Sequence, residues 1–271
     1  LGRGPLSGLT IIEMAGIGPA PFAGMVLADL GADVIRIDRA VPGTGIPLLP
    51  SEHDLHNRGK RSVAIDLKMP EGAGILFRLL EGADAIIEGF RPGVMERLGL
   101  GPAQCLARNP RLVYGRMTGW GQDGPLAGIA GHDIDYIAIS GALGMIGTGA
   151  SPIPPLNLVG DYGGGGMLVA VGLLAAVISA RESGTGQVVD AAMVDGSALL
   201  TTSIHGLDAA GAWSEGRGQN ILDGGAPFYA VYETADARHL AVGALEPRFF
   251  AELVDGLGLD PEEVGRQLDM S

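Results

Sequence analysis

Residues 9–38 read LTIIEMAGIGPAPFAGMVLADLGADVIRID. The apolar run 9–15 predicts a strand, GIGPAP (16–21) a turn, PFAGMVLADLG (21–31) a helix closed by glycine, and DVIRID (33–38) a second strand. This is one βαβ unit, and the pattern recurs. SVAIDL (62–67) predicts a strand, EGAGILFRLLEGA (71–83) a helix and ADAIIEGF a strand. Two short helices then surround GVMERLGL and AQCLARN, and LVYGRMTGW (112–120) predicts a strand. Alternation of this kind implies a mostly parallel sheet with helices on its faces. A helix over 164–182, a strand over GQVVDAAM (186–193) and a helix over VDGSALLTTSIHGLDAAG continue it. From about residue 225 the texture changes. APFYAVYETAD and RHLAVGAL predict antiparallel strands, and EPRFFAELVDGLGL (246–259) a helix. The division expected is a large domain over 1–200, a linker over 201–224 and the start of a smaller domain over 225–271.

The chain has 271 residues and is 46% hydrophobic, enough for a packed core. Its net charge of -13 argues against a nucleic-acid binder, which needs a basic face to displace counterions from phosphates. Local charge differs. Six of the 18 Lys+Arg, namely Arg36, Arg39, Arg58, Lys60, Arg61 and Lys68, lie between residues 36 and 68, with Arg91 and Arg97 soon after. A basic pocket in an acidic protein suits a small polyanion, although scattered solvated charges would give the same count. The one cysteine, Cys105, excludes an intrachain disulfide and makes a reducing, cytoplasmic setting the expectation. The apolar run Met167–Ala180 is short of the ~20 residues of a membrane span and reads as a buried helix. Residues 40–60 form a long loop containing proline and histidine, a length that usually serves function.

GIGPAP sits where a dinucleotide fingerprint would, but Pro21 replaces the third glycine of G-x-G-x-x-G and weakens that reading. No P-loop, nucleophile elbow or zinc-like spacing occurs. Three ionisable residues each open a helix-like segment: His132 in GHDIDY, Asp161 in NLVGDYGGGGM and Glu246 in GALEPRFF. Each acid is either a helix cap or part of a site. The four glycines after Asp161 are costly to order in a helix, which suggests backbone amides exposed to a ligand oxygen. His205 reads as structural, and His53, His56 and His239 as loop or surface residues.

In collinear order over about residues 5–260, LTIIEMAGIGPAPFAGMVLADLGADVIRIDR, NRGKRSVAIDLK, EGFRPGVMERLGLGP, YGRMTGWGQDGP, AGHDIDYIAISG, PPLNLVGDYGGGGM, GQVVDAAMVDGS and GALEPRFFAELVDGLGL resemble the class III CoA-transferase family. Within it they resemble most its α-methylacyl-CoA racemase branch. The resemblance implies an α/β fold, with a Rossmann-like open sheet in the large domain, a smaller α+β domain and an interlocked homodimer. It also implies a racemase or epimerase of 2-methylacyl-CoA thioesters. His132 and Asp161 would serve opposite faces of the α-carbon, and Glu246 would orient the histidine. Backbone amides near Asp161 and its glycine run would meet the enolate oxygen. No metal or redox cofactor is implied; the CoA thioester is the substrate. The resemblance places Arg39 and Ile65, Asp66, Leu67 and Lys68 along the nucleotide, Arg91 at a phosphate, and Gly131, Asp133, Ile134, Asp135 and Tyr136 at the pantetheine and thioester end.

The branch usually has asparagine where Asp135 stands, which brings an added negative charge near His132 or turns it elsewhere. Family chains also run past the equivalent of residue 271, so 225–271 is read as an incomplete small domain. Two alternatives stay open on sequence alone. One is a CoA-transferase that uses Asp161 covalently, and the other a non-catalytic acyl-CoA-binding relative. The Met145–Ile146 and Met167–Leu168 stretches read as core before acyl-chain surface.

Overall fold

In the computed structural model the residues described are 4–41, 53–260, 264 and 267. Residues 42–52 of the long 40–60 loop lie outside them. The opening stretch forms β1 (Thr10–Met14), α1 (Pro19–Asp29) and β2 (Asp33–Arg39), the strands pairing parallel from Thr10 opposite Asp33 to Met14 opposite Ile37. Helix α1 begins at Pro19, two residues before its sequence reading. A first helical position needs no bonded N–H, and proline already holds the helical φ.

β3 (Arg61–Ile65), β4 (Ala85–Glu88), β5 (Val113–Thr118) and β6 (Val188–Ala192) complete a six-stranded sheet, parallel at every pairing, in the order β3-β2-β1-β4-β5-β6. In this doubly wound order the sheet grows one way from β1 and the other way from β4. A crevice opens at the carboxyl ends of those two strands. Adjacent strand residues point to opposite faces. Ile11, Ile87 and Val113 pack with Ala23 and Leu27 of α1 and with Leu173 and Val177. Ile12, Ile86 and Tyr114 pack on the other face with Leu76 and Leu80 of α2 (Pro70–Glu81), Met95 of α3 (Val94–Arg97) and Cys105 of α4 (Pro102–Arg108).

Two helices differ from their sequence readings. The one expected over 164–182 runs from Leu158 to Ser183, with Leu158–Met167 π-helical and α7 (Leu168–Ser183) α-helical. At this length it is apolar enough to cross a membrane, but Val169, Ala170, Leu173, Ala176, Val177 and Ala180 are buried in the core. The helix expected after residue 193 is two, α8 (Met193–Leu200) and α9 (Thr202–Ala209), interrupted at Thr201. α5 (Asp133–Ile139) lies between β5 and the π-helical segment in the chain.

Compactness divides the chain into residues 1–140 with 156–200, and a second unit of 141–155 with 201–271. The 201–224 segment, read as a linker, therefore carries α9 and belongs to the second unit, together with α6 (Ala142–Met145). There Arg217 donates to the carbonyls of Gly144 (2.9 Å), Gly149 (3.2 Å) and Ala150 (2.5 Å), binding the inserted segment to its unit. β7 (Tyr229–Glu233) and β8 (His239–Gly243) form the expected antiparallel pair. Phe228 meets Phe250 of α10 (Pro247–Gly256) edge-on at 5.7 Å, over a small core with Ala226 and Ala244.

Candidate active site

A cavity of about 1050 Å³ occupies the crevice at the β1 and β4 ends. The turns after these strands, Gly16–Pro21 and Gly89–Pro92, line it, as do His132, Tyr136, Asn157 and Asp161. The residues that the opening βαβ reading places at a strand-to-helix turn thus form one wall. Gly18 in that turn has φ 71°, and a Cβ there would stand 3.1 Å from Asp161 Oδ2.

His132 is the N-cap of α5 in extended backbone (φ -128°, ψ 172°), and its side chain is exposed to the cavity. Asp135, three residues on, accepts the backbone N–H of His132 at 2.9 Å. Its carboxylate thus closes the helix start as the acidic half of a capping box. Asp133 turns inward. Its Oδ1 accepts the backbone N–H of Asp161 at 2.6 Å and also bonds the Gly160 amide, while Oδ2 is buried with no hydrogen bond among the described residues. Burial pushes the Asp133 carboxyl above its ordinary range, against those two backbone bonds.

Asp161 stands four residues into its helical segment, where sequence reading had set it at the start. Asn157 donates to its Oδ2 at 3.1 Å. Burial raises the proton affinity of Asp161, and the negative Asp133 adds to this. The Asn157 hydrogen bond and nearby His132 oppose it. A carboxyl moved toward neutrality serves better as both acid and base.

The glycine run does not do what its composition suggests. A Cβ on Gly164 would lie 2.7 Å from the Ser197 nitrogen, one on Gly165 2.7 Å from Met193, and one on Gly166 2.6 Å from the Phe22 ring. These glycines let the π-helical segment approach α8 and α1 closely, and the Asp161 amide is already bonded to Asp133. They offer no open amides for an enolate oxygen.

Two aromatic groups complete the walls. Tyr162 stacks on Phe22 at 4.7 Å, with His56 5.5 Å from Tyr162. Trp120 meets Tyr136 edge-on at 4.7 Å. The Tyr136 hydroxyl donates to the Gly131 carbonyl at 2.5 Å, and burial pushes its pKa up to about 12.

Much of the basic cluster is neutralised within the fold. Lys60 is buried on Glu13 (2.6 Å) and donates to the Pro21 carbonyl (2.9 Å); Arg36 pairs with Asp38 (3.0 Å) and bonds Asn57; Arg58 pairs with Asp29; Arg61 Nε donates to Asp33 at 2.9 Å. Arg91 is exposed and lines the cavity. Arg39 and Ile65 are register partners at the carboxyl ends of β2 and β3, and Lys68 donates its backbone N–H to Asp66 at 3.0 Å just beyond. Arg39, Ile65, Asp66, Leu67 and Lys68 thus gather at one sheet end, outside the cavity lining. Ile134 and Asp135, exposed on α5, are also absent from that lining. Glu246 is the exposed N-cap of α10 in the second unit. Asn157, Tyr162, His56 and Glu13 do not stand out from sequence as site residues, and Lys60 does so only as a member of the basic cluster; the one-turn spacing of Asn157 from Asp161 is the one signal that suggests the first.

CoA-transferase family III matches the chain over residues 6–269. An alpha-methylacyl-CoA racemase of Mus musculus is 49% identical over 264 residues, covering 97% of this chain and 67% of its own. That of Homo sapiens is 47% identical over 268 residues, covering 98% and 68%. A crystal structure of Rv3272 from M. tuberculosis aligns with a TM-score of 0.77 at 30% identity, covering 99% of this chain and 72% of that one. With a family match across nearly its whole length and the racemases aligned over the same span, the chain belongs to CoA-transferase family III.

Proposed function

We propose that the protein is an α-methylacyl-CoA racemase, interconverting the (2R) and (2S) forms of a 2-methylacyl-CoA thioester. The observation that carries this reading is the meeting of His132 and Asp161, on separate elements, in one cavity at the strand ends. Racemisation needs one group to take the α-proton from one face while another returns a proton to the opposite face. The C–H electron pair moves into the thioester to form an enolate, and collapse of the enolate takes the proton from the second group. His132 and Asp161 exchange roles with the configuration of the substrate. With the Asp161 amide committed to Asp133, we assign the enolate oxygen to the Asp133 and Ile134 amides at the start of α5, since those of Asp135 and Tyr136 already donate to the His132 carbonyl.

Arg91 is assigned a CoA phosphate, and the Arg39 and Ile65–Lys68 group the nucleotide, along the strand ends where such sheets receive ligands. Glu246 is assigned the orientation of the partner subunit's His132. A homodimer is also part of the proposal, supported by Val171 and Ile178 of α7, which are 60% and 62% exposed; a single-chain mass in light scattering would remove it.

The test is deuterium incorporation at the α-carbon of a 2-methylacyl-CoA in heavy water. Wild type should exchange. His132→Ala and Asp161→Ala should each lose roughly 10²-fold or more, the scale of general acid–base catalysis, with CoA affinity nearly unchanged. A smaller loss is expected for Glu246→Gln. Transfer of CoA to a free acid without α-exchange would make the protein a transferase instead, and an unimpaired His132→Ala protein would sink the two-base reading.

A further inference from the structure

We infer that Asn157 is a positioning residue for the proton transfer, holding the Asp161 side chain in both of its protonation states; this rests on the racemase reading. Three observations converge. The Asn157 side-chain nitrogen donates to Asp161 Oδ2 at 3.1 Å, from the N-cap of the π-helical segment that carries Asp161. Both residues line the cavity. The residue before Asn157 is Leu156, one of two non-glycine residues with positive φ among those described, at φ 60°. Leucine is uncommon in that region, and backbone held there is over-determined by its surroundings. Here the unusual turn delivers Asn157 to the start of the π-helical segment, and π-helical turns themselves concentrate at functional sites.

The amide is chemically suited to the task. A group that abstracts a proton in one direction and donates it in the other is a carboxylate at one moment and a carboxylic acid at the next. A lysine or arginine at 157 would hold it ionised. An asparagine presents an N–H to the carboxylate and, after a half-turn of the amide, a carbonyl oxygen to the acid's O–H. One side chain therefore fixes the direction of the Asp161 oxygens whichever way the reaction runs. The backbone of Asp161 is fixed separately, through Asp133. The ionisable groups that face Asp161 are His132, Asp133 and Tyr136, all from the start of α5. α1 turns Pro19 and Phe22 toward the segment, and α8 turns Met193, Gly196 and Ser197, none of them ionisable. Asn157 is thus the partner that does not ionise, and its hydrogen bond favours the carboxylate form.

The experiment compares wild type, Asn157→Ala and Asn157→Gln in both directions, following kcat against pH with (2R)- and (2S)-2-methylacyl-CoA. Removing the amide raises the proton affinity of Asp161. In the direction where Asp161 is the base, the acidic limb of the Asn157→Ala profile should therefore move to higher pH by about one unit. kcat should fall about tenfold in both directions, KM should change little, and Asn157→Gln should recover part of the loss. Thermal midpoint and CoA binding are measured alongside, so a misfolded variant is recognised. If Asn157→Ala loses its fold, Asn157→Ser, which keeps a hydroxyl donor and acceptor at shorter reach, carries the same test with a smaller shift. A wild type without α-exchange would overturn the racemase reading itself. A wild type that exchanges, beside a folded variant with an unmoved acidic limb, would overturn only the role of Asn157.

Discussion

At the residue scale, three carboxylates within GHDID and NLVGD divide their work by where each oxygen is spent. Asp135 caps the His132 amide, Asp133 clamps the backbone of Asp161, and Asp161 faces the cavity. The sequence made His132 and Asp161 legible as candidates, since each stands at a glycine-marked junction with an apolar segment. It left Asp135 ambiguous, because a carboxylate three residues after a cap can serve either the helix or the imidazole. Asp133 and Asn157 gain their roles only from contacts across elements or around an unusual turn. Their roles also have opposite electrostatic sign. The Asp133 charge raises the proton affinity of Asp161, so Asp133→Asn should move the acidic limb to lower pH, on the order of half a unit, opposite to the shift of Asn157→Ala. The neutral amide can still accept the two backbone bonds through its oxygen. Its NH₂ then occupies the buried place of the unpaired Oδ2, at a cost of roughly 1–3 kcal/mol to stability. A kcat–pH profile and a denaturation curve of the one variant test both statements. A limb that moved upward would show that the clamp acts by geometry and not by charge.

At the element scale, the segment Leu158–Met167 carries the largest gap between sequence and structure. Periodicity finds helices through a 3.6-residue repeat, and ten residues of π-helix containing four consecutive glycines show none. What the glycines permit is backbone contact. A Cβ on Gly196 of α8 would sit 1.8 Å from the Gly164 carbonyl oxygen, and Ser197 bonds the Met193 carbonyl at 2.7 Å beside it. Because the obstructing atom is backbone, no rotamer change relieves the clash. Gly196→Ala should therefore cost roughly 3 kcal/mol or more in urea denaturation, and α-exchange should fall with it, since the displaced segment carries Asp161. Gly74→Ala is the matched control. That glycine is also helical, but a Cβ there meets nothing within 4 Å, and the change should be neutral or stabilising by about 0.5–1 kcal/mol. Equal effects at the two positions would mean that close approach is not why α8 has its glycine.

For the whole molecule, the parallel sheet was readable because strand and helix periods alternate cleanly from residue 9 to 120, and the strand-end location of the site follows from that topology. The basic cluster misled in part, since composition counts cations without showing that Lys60, Arg36, Arg58 and Arg61 face acids of β1, β2 and α1. The Glu13–Lys60 pair has the widest consequence. It joins β1 to the segment before β3, with both side chains almost wholly buried and Glu13 Oε1 without a hydrogen bond among the described residues. Burial lifts the Glu13 carboxyl to about 7 in the folded protein, against the lowering influence of Lys60, while in the unfolded chain it returns to its ordinary 4.5. Between these values the folded state holds a proton that the unfolded state has lost. The contribution is full below about 4.5 and is lost as pH rises through about 7, up to roughly 3 kcal/mol. Carboxylates held low by surface arginines, such as Asp29 beside Arg58, act in the opposite sense, so the total stability curve mixes both. The difference between wild type and Glu13→Gln isolates the buried group, because the glutamine cannot ionise. That difference should move against wild type by a few kcal/mol from pH 5 to pH 8 in urea denaturation. A difference independent of pH would mean that Glu13 stays ionised on Lys60 throughout, and that the pair is a charged clamp.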